Sequence, residues 1–65
     1  MYTVLIRNSA LGTSWYRGTF HDRESAADYI NSEASRSRSF VSYELWTGTP
    51  QKPGKPLGNI VHGVK

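Results

Sequence analysis

Cysteine is absent from the 65-residue chain, so neither a disulfide framework nor a thiolate zinc site supplements its fold. Histidine is scarce: His21 and His62 stand far apart with no metal-ligand spacing between them, and no metal or cofactor is expected. Long apolar runs are missing as well. Val4-Leu5-Ile6 is far shorter than a signal-peptide core of about 7 to 15 residues or a membrane span of about 20. The expected location is therefore cytoplasmic, with no membrane partner. No Gly-x-Ser-x-Gly elbow, phosphate-binding loop or His-Glu-x-x-His motif occurs. His21 and Asp22 are adjacent and point differently, and Glu24 and Asp28 have the spacing of solvated helix acids, so the chain does not read as an enzyme. Hydrophobic residues make up 37% of the chain. In one domain of this length they build only a small core, which must be well packed or completed by self-association.

Charge of one sign is confined to one end. The formal net charge is +3, but from Met1 to Thr47 the bases Arg7, Arg17, Arg23, Arg36 and Arg38 balance the acids Asp22, Glu24, Asp28, Glu33 and Glu44. The excess belongs to Lys52, Lys55 and Lys65. Residues 1–47 accordingly read as a single α+β domain and residues 48–65 as a Pro/Gly/Lys-rich tail. Its run Thr-Pro-Gln-Lys-Pro-Gly-Lys-Pro suits neither a regular helix nor a central strand, and residues 60–64 read as a short edge strand, as a strap across the sheet that covers Trp15 and Trp46, or as a disordered end.

Within the body, Tyr2 to Arg7 is rich in β-branched and aromatic residues and reads as a first strand. Asn8 to Thr13 supplies a reversal containing Gly12, and Ser14 to Phe20 reads as a second strand with Gly18 marking a bulge. Asp22 is placed to cap a helix over Arg23–Ser35, whose Ala26, Ala27, Ile30 and Ala34 recur at helical spacing. Ser39 to Trp46 reads as a third strand. The order β-β-α-β, with an optional C-terminal strand, predicts a small antiparallel sheet of three or four strands with one helix on one face.

One helix covers one face. Strand alternation assigns Val4, Ile6, Tyr16, Phe20, Val41, Tyr43, Leu45, Ala26 and Ile30 to the covered side. Thr3, Leu5, Arg7, Trp15, Arg17, Thr19, Phe40, Ser42, Glu44 and Trp46 fall on the other. A surface that combines tryptophan, phenylalanine and arginine has the composition of a binding centre. Trp15, Arg17, Phe40, Trp46, Arg7 and Leu5 are therefore the candidate partner-binding residues. A protein partner is expected, either another protein or a second copy of the chain. The alternative is a single-stranded nucleic acid stacked on the aromatics, with Arg7, Arg17 and the tail lysines meeting phosphates. Three excess charges give that alternative a shallow salt dependence and weak affinity.

The segment Trp15-Tyr-Arg-Gly-Thr-Phe-His-Asp-Arg-Glu-Ser-Ala-Ala-Asp-Tyr-Ile-Asn-Ser-Glu-Ala34 resembles the strand-to-helix segment of the N-terminal DNA-binding domains of phage-type integrases. In overall layout the chain is similar to small accessory proteins of bacteriophages. That resemblance implies a host cytoplasmic location and either a host factor or the protein itself as partner.

Overall fold

The computed structural model describes residues 1–64; the expected contribution of Lys65 lies outside the described residues. Five elements follow in order: β1 (Tyr2–Asn8), β2 (Thr13–Phe20), α1 (Arg23–Ala34), β3 (Val41–Gly48) and β4 (Pro53–His62). The fold is α+β, an antiparallel sheet in the order β2-β1-β3-β4 with the helix packed on it. Among the described residues, no helix is long and apolar enough to cross a membrane.

The helix forms where its cap and its apolar spacing coincide. The Asp22 backbone is extended, and its carboxylate Oδ1 accepts the Ser25 N–H at 2.7 Å, satisfying one of the otherwise unpaired first-turn donors. Ala26, Ile30 and Ala34 are the buried stripe, and they meet Val4, Ile6, Tyr43 and Leu45 from the two central strands. At the other end serine hydroxyls take over the free carbonyls: Ser35 Oγ donates to Ser32 O and Ser37 Oγ to Glu33 O, each at 2.8 Å. Ser37 also hydrogen-bonds the Tyr43 hydroxyl, tying the helix end to β3. Within Ser35-Arg-Ser-Arg-Ser39, Ser35 and Ser37 thus close the helix.

β1 is central, and its burial does not alternate: Thr3, Val4, Leu5 and Ile6 are buried one after another. A strand of this kind is covered on both faces. Val4 and Ile6 lie under α1. Thr3 and Leu5 point the other way, where no helix or second sheet stands.

Three sequence expectations change. The third strand begins two residues late, at Val41, because Ser39 and Phe40 belong to the preceding turn, where the Phe40 carbonyl accepts both the Ser9 N–H and its hydroxyl. The C-terminal strand is longer than a 60–64 segment and starts at Pro53. Prolines are tolerated there because β4 is an edge strand, with outward positions that need no N–H donor. Its ladder to β3 has two irregularities, between Glu44 and Trp46 and between Trp46 and Gly48, which absorb the extra residues of this Pro- and Gly-rich segment. β4 lies beside β3 in the plane of the sheet and does not strap across a face. Gly63 N–H bonds Val41 O at 2.9 Å, and Val64 N–H bonds Ala34 O at 3.2 Å, the last carbonyl of the helix proper.

The third change concerns β2. Tyr2 pairs with Phe20 but Val4 pairs with Arg17, so one extra residue sits on β2 between them. Gly18, at φ +80°, provides it. The Phe20 ring lies directly over Gly18, where a Cβ would come within 2.8 Å of it. An extra residue reverses the inside-outside alternation of everything before it. Phe20 remains on the helix side, against Tyr29. Trp15, opposite Ile6, and Arg17, opposite Val4, are therefore on the helix side, and Tyr16, opposite Leu5, is on the other.

Candidate functional site

The helix-free face is defined by two cross-strand rows. One runs Tyr16–Leu5–Glu44–Ile60 across all four strands, and the next contains Thr3, Trp46 and Pro56. Tyr16 and Trp46 are separated by β1, which at about 4.8 Å per strand places their backbones roughly 10 Å apart. Their ring centroids are nevertheless 5.3 Å apart with planes at 82°. The rings lean toward each other over β1 in an edge-to-face contact, worth about 0.5 to 1.5 kcal/mol beyond the area they bury. Beneath them Thr3 is fully buried and Leu5 is 5% exposed. Two aromatic side chains thus take the place of a second layer.

Glu44 organises the polar part of the same face. Its Oε1 accepts the Trp46 indole N–H at 3.1 Å and lies 3.8 Å from Arg7 Nη2. The Glu44 side chain is 14% exposed against 59% for Arg7, so the carboxylate is held in the surface while the guanidinium stays in solvent. The indole donor is satisfied, the indole is fixed, and the charges on this face cancel. Ile60 extends the apolar strip across β4 and is 54% exposed.

The candidate residues named from the sequence divide into three groups. Leu5, Arg7 and Trp46 come together on the helix-free face, as alternation predicts. Trp15 and Arg17 are on the helix side of β2, a correction that follows from the Gly18 bulge; Trp15 is 43% exposed, outside the helix-covered core. Phe40 is 41% exposed in the turn before β3, six residues from Trp46 and about 20 Å away along an extended strand. Tyr16 and Ile60 are the members that the sequence reading missed; Thr3 falls on this face as alternation predicts. The run Thr3-Val4-Leu5-Ile6 held the signal that a cover such as Tyr16 is needed, since consecutive burial-prone residues on a central strand demand cover on both faces.

Two concavities among the described residues border this face. A cleft of about 450 Å³ between α1 and β4 is lined by Ala27, Ile30, Asn31 and Leu45 and by the β4 run Gly58, Asn59, Ile60 and Val61, so Ile60 also borders it. A shallower one of about 360 Å³ at the β1–β2 turn includes Arg7, Asn8, Ser14 and Ser42. Neither is lined by a carboxylate, histidine or thiol. Among the described residues no group of three or more His, Cys, Asp or Glu side chains is placed to hold a metal ion. No family model, curated protein or solved structure matches the chain.

Proposed function

We propose that the chain is a small non-catalytic binding module that docks a protein partner on the helix-free face of its sheet. The observation that carries this reading is the Tyr16–Trp46 roof over Thr3 and Leu5, flanked by the solvent-exposed Ile60. Aromatic side chains fixed by packing and hydrogen bonding offer contact area at low entropy cost, the usual basis of an interface centre. The Glu44 carboxylate beside both Trp46 and Arg7 counts against the alternative ligand, a single-stranded nucleic acid. It repels a phosphate backbone and neutralises the arginine that would meet it. The resemblance to bacteriophage accessory proteins makes a host factor the first heterologous partner to examine.

A photo-cross-linking residue replacing Ser42, on the helix-free face, tests this against the same probe replacing Asp28 on the exposed helix surface. The Ser42 probe is expected to capture a discrete protein, losing it when Trp46→Ala is added, and the Asp28 probe is not. Equal capture from both positions, or a saturable change of Trp46 emission on titration with oligonucleotide at low salt, refutes the reading.

A further inference from the structure

From the symmetry of this face we infer that its protein partner is a second copy of the chain, packed sheet to sheet about a two-fold axis parallel to the strands. This inference rests on the binding-module reading and adds the partner's identity. The row Tyr16–Leu5–Glu44–Ile60 has an apolar side chain at each end and its one charge near the middle. An axis between β1 and β3 turns the row end over end, laying Tyr16 of one copy on Ile60 of the other, twice in the dimer, as a self-complementary contact requires. Glu44 sits next to that axis already engaged by the Trp46 indole and by Arg7 of its own chain, so a copy meets no unpaired charge there.

Area supports a modest affinity. Four strands at about 4.8 Å span roughly 19 Å, and strands of seven or eight residues run about 25 Å, a flat footprint near 470 Å² per copy. Two copies together remove about 950 Å² before side-chain relief is added, close to the lower bound of about 1,000 Å² for a specific interface. An interface at this bound is a weak, transient one, and micromolar concentrations are where it is to be sought. The sheet edges are poorer routes to self-association. β4 carries Pro53 and Pro56 with Lys52 and Lys55 about them, and β2 carries the Gly18 bulge, each a device that discourages edge pairing.

Sedimentation velocity from about 1 to about 200 µM brackets that range. The expected result is a concentration-dependent shift from 7.3 kDa toward twice that mass. Ile60→Glu, at an exposed position that leaves the circular dichroism unchanged, is expected to weaken the association at least about tenfold. Because the chain has no cysteine, Tyr16→Cys mixed with Ile60→Cys is expected to be joined by a short bismaleimide, which spans the roughly 10 Å between stacked sheets, into a dimer that neither variant forms alone. A wild type that stays monomeric at the highest concentration overturns the inference, as does an Ile60→Glu variant that dimerises as tightly or a mixture showing no 16–60 link. A monomer whose Ser42 probe still captures a different protein leaves the binding-module reading standing; a monomer that captures nothing removes both.

Discussion

Replacing Gly18 by alanine tests the feature that decides which side chains each face of β2 presents. At φ +80° an L-residue meets the left-handed steric cost, about 1 to 2 kcal/mol. The new Cβ also lands 2.8 Å from Phe20 Cε2 and 2.9 Å from Cζ, so the ring must swing away. Swinging it loosens the Phe20–Tyr29 contact, now at 5.3 Å between centroids, at a cost of about 0.5 to 1.5 kcal/mol. The total is about 2 to 3 kcal/mol, which for a domain of this size lowers Tm by roughly 10 to 20 °C. Gly58→Ala is the matched control: its φ is +81°, yet a Cβ there has no neighbour within 4 Å, so only the backbone cost applies. Thermal melts followed by circular dichroism should rank wild type, Gly58→Ala and Gly18→Ala in that order. If Gly18→Ala melts with or above Gly58→Ala, the ring is not seated on the bulge and the face assignment of Trp15, Tyr16 and Arg17 falls with it. Deleting Gly18 outright goes further, because restored alternation carries Tyr16 to the helix side and Trp15 away from it.

Leu5→Ala should cost about 2 kcal/mol in chemical denaturation, at the low end for a buried leucine because the rings above it can settle; a change under about 0.5 kcal/mol would mean that the roof excludes no water. The two indoles should separate by iodide quenching at low micromolar concentration. Trp15, kept alone by Trp46→Phe, should quench readily, and Trp46, kept alone by Trp15→Phe, should resist; equal quenching contradicts their placement. The Ser25 backbone N–H, helped by the Ser25 side chain and by His21, holds the Asp22 carboxyl below its ordinary 3.8. A depressed folded value means that the cap's contribution is complete above that pH and is lost as pH falls through the folded value. Asp22→Asn, which caps without titrating, should therefore flatten the acid limb of the stability profile, and an unchanged limb refutes the assignment. Burial, reinforced by Glu33 and opposed by Arg17, raises the Tyr29 phenol above 10.0. Its contribution is full below that value and declines as pH rises through the folded one, so Tyr29→Phe should remove part of the alkaline loss of stability, read alongside phenolate absorbance.

Local chemistry made most of the fold legible. β1, β2 and α1 fall within one residue of their expected ends, because turn residues, a carboxylate cap and alanine spacing all act over a few positions. What alternation alone could not supply was its own interruption. Gly18 reads as a bulge from composition, but a bulge also inverts the strand before it, and following Phe20 back to Tyr16 in steps of two ignores that inversion. Pro53 and Pro56 hid β4 in a similar way: they forbid a central strand, and the rule is silent on an edge. Leu5 and Trp46 were legible as members of an uncovered face. Tyr16 depends on the Gly18 irregularity, and Ile60 on the pairing of β4 with β3, neither of which a single strand reveals.

The bonds from Gly63 to Val41 and from Val64 to Ala34 have a consequence for the order of folding. Gly63 and Val64 bind the start of β3 and the finish of α1, so a chain that stops short of them keeps, among the described residues, only the Ser37–Tyr43 bond between those two ends. Contacts of such long sequence separation are slow to form. A truncation at Asn59, which removes these two bonds and the pairs of Ile60, Val61 and His62 with β3, should therefore lower the melting temperature and slow refolding.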